Sequence, residues 1–336
     1  MASRLSLSVS CDRGGNIDVV PAFGTVRSET RYGQLSLGKN HLIRSACAPA
    51  AIFGSKKIII LKVMKPQSVS PDPSFKMNSP WHSLTDKSIW VLGGAGYLGS
   101  AITAALDGEG ARVICVDLGD KAEKFVREQS LKNTIAVSQD VFQVEALEGF
   151  VERLVEEHGT PDGLVNLAAY SSAGKTLEEI SVEEFQAPYL KSNTSYFVVS
   201  RAVAERMRTQ GGGSIVLFAS MYGVVSPDPS VYAPPMIPNP IDYGASKAGI
   251  LQMARYMAVH YGPHGVRVNS ITPGPFPNPM VQKMDPEFIE RLSAKTPMKR
   301  VGQNSEIVGP TLFLLSPGAS FVTGHSLDVD GGWMAW

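Results

Sequence analysis

Tyr243 and Lys247 lie four residues apart in the segment Tyr243-Gly-Ala-Ser-Lys247. Residues at this spacing share one face of a helix, so both side chains are expected on the same side. An ammonium group beside a phenol favours the phenolate and lowers the phenol's pKa. Such a phenol can act as a general base toward an alcohol or as a general acid toward a carbonyl. The pair indicates proton-transfer chemistry, although the same spacing also occurs in surface helix pairs that do no chemistry.

A glycine-rich turn precedes this pair in the chain and has a different chemical use. Gly93, Gly96 and Gly99 follow an apolar run, and their spacing permits a tight turn with close approach of a ligand to the backbone. Free N–H groups at the start of the following helix can hold a pyrophosphate. A plain strand-to-helix connection remains the alternative for the turn alone. The acid at the end of the second apolar run, Asp117, makes a dinucleotide site the favoured interpretation, because an acid there accepts hydrogen bonds from ribose hydroxyls.

The residues around Asp117 also bear on which dinucleotide binds. A carboxylate at this position repels a 2′-phosphate, and neither Leu118 nor the turn residues Gly94 and Ala95 supply a compensating cation. Lys121 is the one basic residue nearby, and we expect it to face solvent. The sequence therefore favours NAD over NADP.

The elements that must position these groups alternate between short apolar runs and longer amphipathic stretches. The runs that predict buried strands are residues 88–92, 112–116, 134–137, 163–167, 214–218 and 265–271. The stretches that predict helices are residues 98–107, 121–129, 144–158, 182–208 and 243–261. Such alternation implies βαβ units with right-handed crossovers. We predict an α/β fold: a single domain with a Rossmann-type, doubly wound parallel sheet, without internal repeats.

The charge balance hides two unlike segments. The 336 residues contain 31 Lys and Arg and 31 Asp and Glu, yet residues 1–76 carry a charge of +7 and residues 77–336 a charge of −7. The first segment is rich in serine and looks strand-like only at residues 57–64. Three interpretations stay open for it: an upstream artefact with Met77 as the true start, an organellar transit peptide, or a disordered tail. We predict residues 77–336 to form the NAD-binding domain.

Several classes of protein are disfavoured by composition. No apolar run approaches the roughly 18 residues of a membrane span. Three scattered cysteines suit neither a disulfide framework nor a zinc site, and His260, His264 and His325 lack metal-ligand spacing, so no metal is expected. A neutral chain gives no indication of nucleic-acid binding. We expect a cytoplasmic protein, or an organellar one if residues 1–76 are a transit peptide.

Together these features resemble the short-chain dehydrogenase/reductase family over residues 84–336. The resemblance rests on landmarks in a fixed order: the glycine turn 93–99, Asp117, Asp140-Val141, Asn166-Leu-Ala-Ala169, Asn193, Ser220, Tyr243-xxx-Lys247, Pro273-Gly274, Thr323-Gly324 and Val329-Asp-Gly-Gly332. Each landmark alone is weak evidence, whereas the ordered set is specific.

The resemblance implies a role for each of four catalytic residues. Tyr243 transfers the proton, and Lys247 lowers the pKa of this tyrosine and binds the nicotinamide ribose. Ser220 holds and polarises the substrate oxygen. Asn193 orders a water molecule that relays the proton to solvent. The hydride chemistry itself belongs to the cofactor.

The resemblance also implies the cofactor contacts. Asp140 and Val141 would flank the adenine, Asn166 would support the cofactor strand, and Pro273-Gly274 would border the nicotinamide. The expected cofactor-binding residues are Gly93, Gly96, Tyr97, Leu98, Gly99, Asp117, Asp140, Val141, Asn166, Ala168, Tyr243, Lys247, Pro273 and Gly274.

The chain departs from the family pattern in two places. Leu92 replaces a threonine and Tyr97 replaces a glycine, so the turn spacing is more like that of extended members acting on nucleotide sugars. The usual Asn-Asn-Ala-Gly becomes Asn166-Leu-Ala-Ala169, which we expect to be tolerated. The chain ends soon after the last strand, which leaves no room for the added substrate domain of the extended members.

Two proline-rich stretches are expected near the substrate. Residues 221–242 are long for this family and hold six prolines together with Tyr222 and Tyr232. Proline restricts the backbone, so this insertion forms either a fixed wall of the substrate site or a surface insertion with a packing role. A second proline-rich stretch, residues 273–279, precedes an expected lid helix near residues 280–295.

We expect an NAD-dependent oxidoreductase that interconverts a secondary alcohol and a ketone on a polar small molecule. A sugar acid or polyol is the first candidate, as in gluconate 5-dehydrogenase-like members. The alternatives are a 3-oxoacyl-carrier-protein reductase, a nucleotide-sugar dehydrogenase or epimerase, and an NAD-sensing protein without turnover. The family resemblance suggests a homotetramer or homodimer, formed through the helices at residues 182–208 and 243–261 and the last strand.

Overall fold

The computed structural model describes residues 7–11, 17–21, 83–170, 174–234 and 236–336. The chain divides into two units, Met1–Ser70 and Pro71–Trp336, which are described separately. The strand-like run at residues 57–64 lies outside the described residues. The boundary at residue 77 and the three interpretations of residues 1–76 stay predictions.

A small antiparallel sheet lies in the first unit. Strand β1 (Leu7–Cys11) pairs with β2 (Ile17–Pro21) so that Val9 lies opposite Val19. The sequence analysis expects no strand here. The difference has a local cause, because each run is only five residues long and too short to give a sustained pattern, although β2 contains three β-branched residues.

The second unit contains a seven-stranded sheet in the order β5-β4-β3-β6-β7-β8-β9. Its strands are β3 (Ser88–Leu92), β4 (Arg112–Asp117), β5 (Thr134–Ser138), β6 (Gly163–Asn166), β7 (Gly213–Phe218), β8 (Val266–Pro273) and β9 (Ser326–Val329). All neighbouring strands are parallel. The predicted doubly wound Rossmann-type sheet is confirmed, and the six predicted strands match within two residues at either end.

Helices cover the sheet between its strands. They are α1 (Tyr97–Gly108), α2 (Lys121–Glu128), α3 (Leu147–His158), α4 (Val182–Pro188), α5 (Thr194–Gln210), α6 (Ile241–Tyr261), α7 (Pro279–Met284), α8 (Pro286–Lys295) and α9 (Val308–Leu315). Within the described part of the chain, no helix has the length and apolar character needed to cross a membrane.

Two predicted helices need correction, and one observed helix was not predicted. The long helix expected at residues 182–208 is interrupted, because a π-helical turn at Tyr189–Asn193 follows Pro188 and separates α4 from α5. The expected lid helix is divided between α7 and α8, since Asp285 caps a new helix that begins at Pro286. Helix α9 was not predicted.

Apolar side chains alternate between the two faces of the sheet. Trp90 and Leu164 join a core with α3, α5 and α6, whereas Val91 and Val165 join a second core with α1 and α9. All four are fully buried, and burial of such side chains contributes about 1.5–3 kcal/mol each. The two cores hold the strands rigidly, so their carboxyl ends form a fixed platform.

The strand order reverses at β3: β4 and β5 lie on one side of it, and β6 and the later strands lie on the other side. Leu92, at the end of β3, is in register with Asn166 at the end of β6, and Asn166 is in register with Leu217. A reversal of this kind opens a crevice beyond the carboxyl ends of the strands. The glycine turn follows β3, and Ser220 follows β7, so the fold brings the two predicted sites to the same edge.

Candidate active site

The glycine turn is made by main-chain atoms. The N–H groups of Gly93 and Gly94 both donate to the carbonyl oxygen of Val116, at 2.8 and 3.2 Å. Gly93 has a φ of +76°, a conformation that side chains disfavour. A Cβ atom at Gly99 would lie 2.1 Å from the carbonyl oxygen of Gly93. The turn and the helix α1 can therefore approach each other this closely only with glycine at position 99.

The start of α1 fits a negatively charged group. Gly96 caps the helix without a side chain, and the first turn contains no acidic residue. The first N–H groups of a helix have no acceptor within it, and they carry the positive end of the helix dipole. Because Gly96 and Gly99 have no side chains to block the approach, the pyrophosphate of a dinucleotide can reach the N–H groups of Leu98 and Gly99. The residues present therefore fit a dinucleotide cofactor.

Asp117 has a second task that the sequence did not suggest. Its carboxylate oxygens accept hydrogen bonds from the N–H of Ala95 at 3.0 Å and from the N–H of Leu118 at 2.8 Å. The side chain at the end of β4 thus braces the glycine turn. Its expected contact with the ribose hydroxyls uses the lone pairs that remain and stays a prediction.

Lys247 is buried beside the predicted proton-transfer residue. Its Nζ donates to the carbonyl oxygen of Phe218 at 3.1 Å and lies 5.8 Å from the ring centroids of Tyr243 and Tyr196. Burial lowers the pKa of Lys247 to about 8. The helix α6 brings both side chains to the end of β7, as their spacing predicts.

The expected lowering of the Tyr243 pKa is corrected by the structure. Burial raises the pKa of this phenol, and the neighbouring Ser220 side chain offsets only part of the rise. The ammonium nitrogen of Lys247 is directed to the carbonyl of Phe218, and its own charge is disfavoured by burial. In this structure Tyr243 is a protonated phenol near neutral pH, ready to donate.

Ser220 lies two residues beyond the end of β7, in extended backbone. Its hydroxyl oxygen accepts a hydrogen bond from the N–H of Tyr222 at 3.2 Å, which starts a short 3-10 turn at Met221–Gly223. This turn packs on α6, where a Cβ atom at Gly223 would lie 2.8 Å from the backbone of Lys247. The close approach of the two backbones sets Ser220 beside Tyr243.

Asn193 is the last residue of the π-helical turn. Its Nδ2 donates to the carbonyl oxygen of Ser246 at 3.0 Å, and its Oδ1 accepts from the Ser246 hydroxyl. The amide thus joins the π-helical turn to α6 one residue before Lys247. The water-ordering role of Asn193 stays a prediction.

One cleft of about 260 Å³ brings most of the predicted site residues together. The predicted residues that line it are Gly93, Gly96, Leu98, Gly99, Ser220, Tyr243, Lys247, Pro273 and Gly274. Five further residues line the cleft and were not predicted as site residues: Leu167, Ala169, Phe218, Ala219 and Phe276. Four of these follow or end a parallel strand, and that position was the signal that could have identified them.

The other predicted cofactor residues do not line this cleft. They are Tyr97, Asp117, Asp140, Val141, Asn166 and Ala168. Asn166 is fully buried, and its Oδ1 accepts from the N–H of Ala168 at 3.2 Å. The Asp140 carboxylate accepts from the N–H of Phe142 at 2.9 Å. These side chains support the strand ends, and their contacts with a cofactor stay predictions.

The proline-rich insertion is held against α8. The Nε of Arg291 donates to the carbonyl oxygen of Val231 at 2.7 Å, and Lys295 forms an ion pair with Asp228. The rings of Tyr232 and Phe288 are in contact, with their centroids 5.4 Å apart. The described part of the insertion therefore forms one packed layer with α8, and both interpretations of its role, a fixed wall of the substrate site or packing alone, stay predictions.

Asp242 and the absence of a metal cluster complete the description of the site. Asp242 is fully buried in the first turn of α6, and neither carboxylate oxygen has a hydrogen-bond partner among the residues described. Burial raises the pKa of this carboxyl, which lies next to Tyr243 in the chain. In the described ranges, His, Cys, Asp and Glu form no group of three that could hold a metal ion.

The chain is similar to known proteins over most of its length. Residues 94–334 match the sequence model of the family described as enoyl-(acyl carrier protein) reductase. The chain is 31% identical to levodione reductase of Leifsonia aquatica over 271 residues, which are 76% of this chain and 97% of the relative. It is 30% identical to D-arabinitol 2-dehydrogenase (ribulose-forming) of Candida tropicalis over 290 residues, which are 79% and 95% of the two chains.

A solved structure shares the fold as well. The short-chain dehydrogenase of Leptospira borgpetersenii with bound NAD+ superposes with a TM-score of 0.64 at 29% identity. The match covers 75% of this chain and 94% of that one.

Proposed function

The chain belongs to the short-chain dehydrogenase/reductase family, and from this premise we propose that it is an NAD-dependent enzyme that interconverts a secondary alcohol and a ketone. Its relatives establish the coarser activity, oxidoreduction of CH–OH groups. The proposed substrate is a polar small molecule, with a polyol or a sugar acid as the first candidate. The polyol acted on by the Candida relative supports this choice.

The cleft carries this proposal. Ser220, Tyr243 and Lys247 line the same space as the glycine turn, so a substrate oxygen and a dinucleotide can meet there. When bound, the dinucleotide accepts or returns a hydride at the substrate carbon. An NAD-sensing protein without turnover has no need for a phenol, a hydroxyl and an amine at this point.

The side chains divide the proton transfer between them. The Ser220 hydroxyl holds the substrate oxygen through a hydrogen bond. In reduction the Tyr243 hydroxyl gives its proton to that oxygen, and in oxidation the Tyr243 oxygen takes the proton of the substrate hydroxyl. Lys247 stabilises the resulting phenolate when its amine is charged. Because the pKa of Tyr243 is raised, we expect oxidation to accelerate with rising pH.

The preference for NAD rests on Asp117. Its carboxylate is fixed at the end of β4 by the N–H groups of Ala95 and Leu118, and it would repel a 2′-phosphate. The turn itself contains no Lys or Arg. NAD+ bound to the Leptospira relative supports the same cofactor.

A carrier-protein substrate is the second candidate, because the matching family description names an acyl carrier protein. The predicted domain, residues 77–336, carries a charge of −7. A negatively charged surface disfavours an acidic protein partner. We therefore place free polar alcohols first.

Oligomerisation and compartment complete the proposal. Phe197 on α5 and Val259 on α6 are exposed apolar side chains, and Phe321 before β9 is fully exposed. These faces support a homotetramer or homodimer formed through α5, α6 and the last strand. The compartment remains the sequence-based prediction, cytoplasmic or organellar according to residues 1–76.

The test follows NADH formation by the full chain with D-arabinitol, gluconate, cyclopentanol and a 3-hydroxyacyl thioester. We expect turnover with NAD+ to exceed turnover with NADP+. Tyr243→Phe should lower kcat by about 10³-fold or more while NAD+ affinity changes little, because only the proton-transfer hydroxyl is removed. Full activity in this variant would falsify the assignment of the active site.

Tyr261→Phe is the matched control. Tyr261 ends the same helix, and its hydroxyl donates to Glu205 at 3.0 Å, far along α6 from Tyr243. We expect its turnover to equal that of the wild type.

A further inference from the structure

Two phenols of the insertion form a pair that the proposed reaction does not use. The hydroxyl oxygens of Tyr222 and Tyr232 are 2.6 Å apart and share one hydrogen bond. Both side chains are largely buried. We call Tyr222 and Tyr232 the phenol pair. A hydrogen-bonded pair of hydroxyls inside an otherwise apolar cluster is costly to bury unless its remaining hydrogen finds an acceptor.

A count of donors shows that one hydrogen remains. Each phenol has a single O–H, and the pair uses one of the two for its own bond. The Tyr232 oxygen also interacts with the backbone N–H of Asn239, which adds a donor and no acceptor. Burial raises the pKa of both phenols, so both keep their hydrogens near neutral pH. Among the residues that the structure describes, the second O–H has no acceptor.

The phenol pair lies next to the reacting groups. Tyr222 follows Ser220 by two residues and donates its N–H to the Ser220 hydroxyl at 3.2 Å. Tyr243 packs against the apolar cluster that contains Tyr222 and Tyr232. Ionisation of Tyr243 also raises the pKa of both members of the pair, which places all three phenols within electrostatic reach.

The position of the pair is held from outside. Phe288 packs on the ring of Tyr232, and Arg291 holds the adjoining carbonyl of Val231 at 2.7 Å. The ion pair of Lys295 with Asp228 closes the same layer. A donor that is already fixed loses little entropy when it binds a ligand, so it discriminates well between ligands.

We propose that the phenol pair determines specificity by donating a hydrogen bond to a second oxygen atom of the substrate, one that does not react. The enzyme then prefers diols, polyols and hydroxyketones to alcohols with a single oxygen. A buried donor makes this choice because a substrate without the second oxygen leaves the O–H unpaired. The inference rests on the proposed function, since it needs a substrate whose first oxygen lies between Ser220 and Tyr243.

The test compares cyclopentanol with cyclopentane-1,2-diol and cyclopentane-1,3-diol, using the full chain and NAD+. Selectivity is the kcat/KM of the better diol divided by that of cyclopentanol. The variants are Tyr232→Phe, Tyr222→Phe and the double variant, which has no donor left. We expect the double variant to lose about 10-fold in selectivity, the size of one hydrogen bond, with cyclopentanol turnover within about 2-fold of wild type.

Single variants and controls separate the outcomes. Each single variant should lose part of the selectivity, because either hydroxyl can be the donor within the pair and one O–H is then left for the substrate. Thermal unfolding and NAD+ affinity report whether each variant keeps its fold, and Tyr261→Phe controls for the loss of a phenol elsewhere. If the double variant does not fold, Tyr232→Phe carries the test.

Unchanged selectivity in a folded double variant would overturn the inference while leaving the proposed function intact. An equal fall for cyclopentanol and diol would also overturn it, because the pair would then act on the reaction itself. If the wild type oxidises none of the three alcohols with either dinucleotide, the inference fails, and the proposed function fails with it only if D-arabinitol and gluconate are inert as well.

Discussion

The glycine turn after β3 and the packed layer of residues 221–242 with α8, here called the wall, are built in opposite ways. The turn is made of main-chain hydrogen bonds, such as those from Gly93 and Gly94 to Val116. The wall is made of side chains: the phenol pair, the Arg291 guanidinium and the ion pair of Lys295 with Asp228. A main-chain site depends on where side chains are absent, whereas a side-chain site depends on which ones are present.

The difference predicts how each region responds to substitution. In the turn, one added methyl group collides with backbone atoms that cannot move without opening the fold. In the wall, each removed side chain leaves other contacts in place, so single losses should be smaller. An added methyl group in the turn should therefore cost more than a lost side chain in the wall.

Gly99→Ala should break the turn. The added Cβ would lie 2.1 Å from the carbonyl oxygen of Gly93, so the turn and α1 must separate. We expect NAD+ affinity to fall by about 100-fold or more, together with a loss of about 1–3 kcal/mol in the free energy of unfolding. Calorimetric titration with NAD+ and urea unfolding measure the two effects.

Gly108→Ala is the matched control in the same helix. Its Cβ would meet nothing within 4 Å, so the variant should bind NAD+ normally and gain up to about 1 kcal/mol in stability. Equal NAD+ affinity in the two variants would contradict a turn formed by close backbone approach.

Burial of Lys247 should make the side-chain half of the cleft sensitive to pH. Burial lowers its pKa to about 8 in the folded chain, from an ordinary value of 10.5. Between these values the unfolded chain binds more protons than the folded chain, so stability rises with pH across this window and is flat below it. The raised pKa of Tyr243 acts only above about pH 10.

Lys247→Met should remove this dependence. We expect the free energy of unfolding without cofactor to rise by about 1–3 kcal/mol from pH 7.5 to pH 10 in the wild type, and to stay nearly flat in the variant. Urea unfolding at several pH values provides the measurement. A wild-type stability that falls across this window would show that the buried amine keeps its ordinary pKa.

Lys295→Met should have the smallest effect, because it removes one contact of the wall and leaves the others. The partner carboxyl, Asp228, has its pKa lowered to about 2 by Lys295 and Ser230, yet both members of the ion pair remain partly exposed. We expect KM for a diol to rise by about 2- to 3-fold with kcat nearly unchanged. Steady-state kinetics measure this change, and Lys132→Met, a remote surface variant, is the control. A larger loss of kcat/KM in Lys295→Met than in Gly99→Ala would contradict the contrast between the two regions.

Some features of the fold and of the site could be predicted from the sequence, and others could not. The strands at residues 88–92 and 214–218 were predicted almost to the residue, because a buried parallel strand is a short apolar run between polar punctuation. The ionisation of Tyr243 was misjudged, since spacing on a helix says which groups are neighbours but not how deeply they are buried. The break at Tyr189–Asn193 was also missed, although Pro188 inside the expected helix was a signal for it.

Local patterns along single strands and helices were enough to predict the parallel α/β sheet and the glycine turn, and the ordered family landmarks singled out Ser220, Tyr243 and Lys247, whose roles stay predictions. Packing between distant elements places Asp117 against the turn and Asn193 against Ser246. It also decided that Tyr222 and Tyr232 share a hydrogen bond while α8 holds them in place. These contacts join residues distant in the chain, and their geometry follows from how the layers pack rather than from any local pattern.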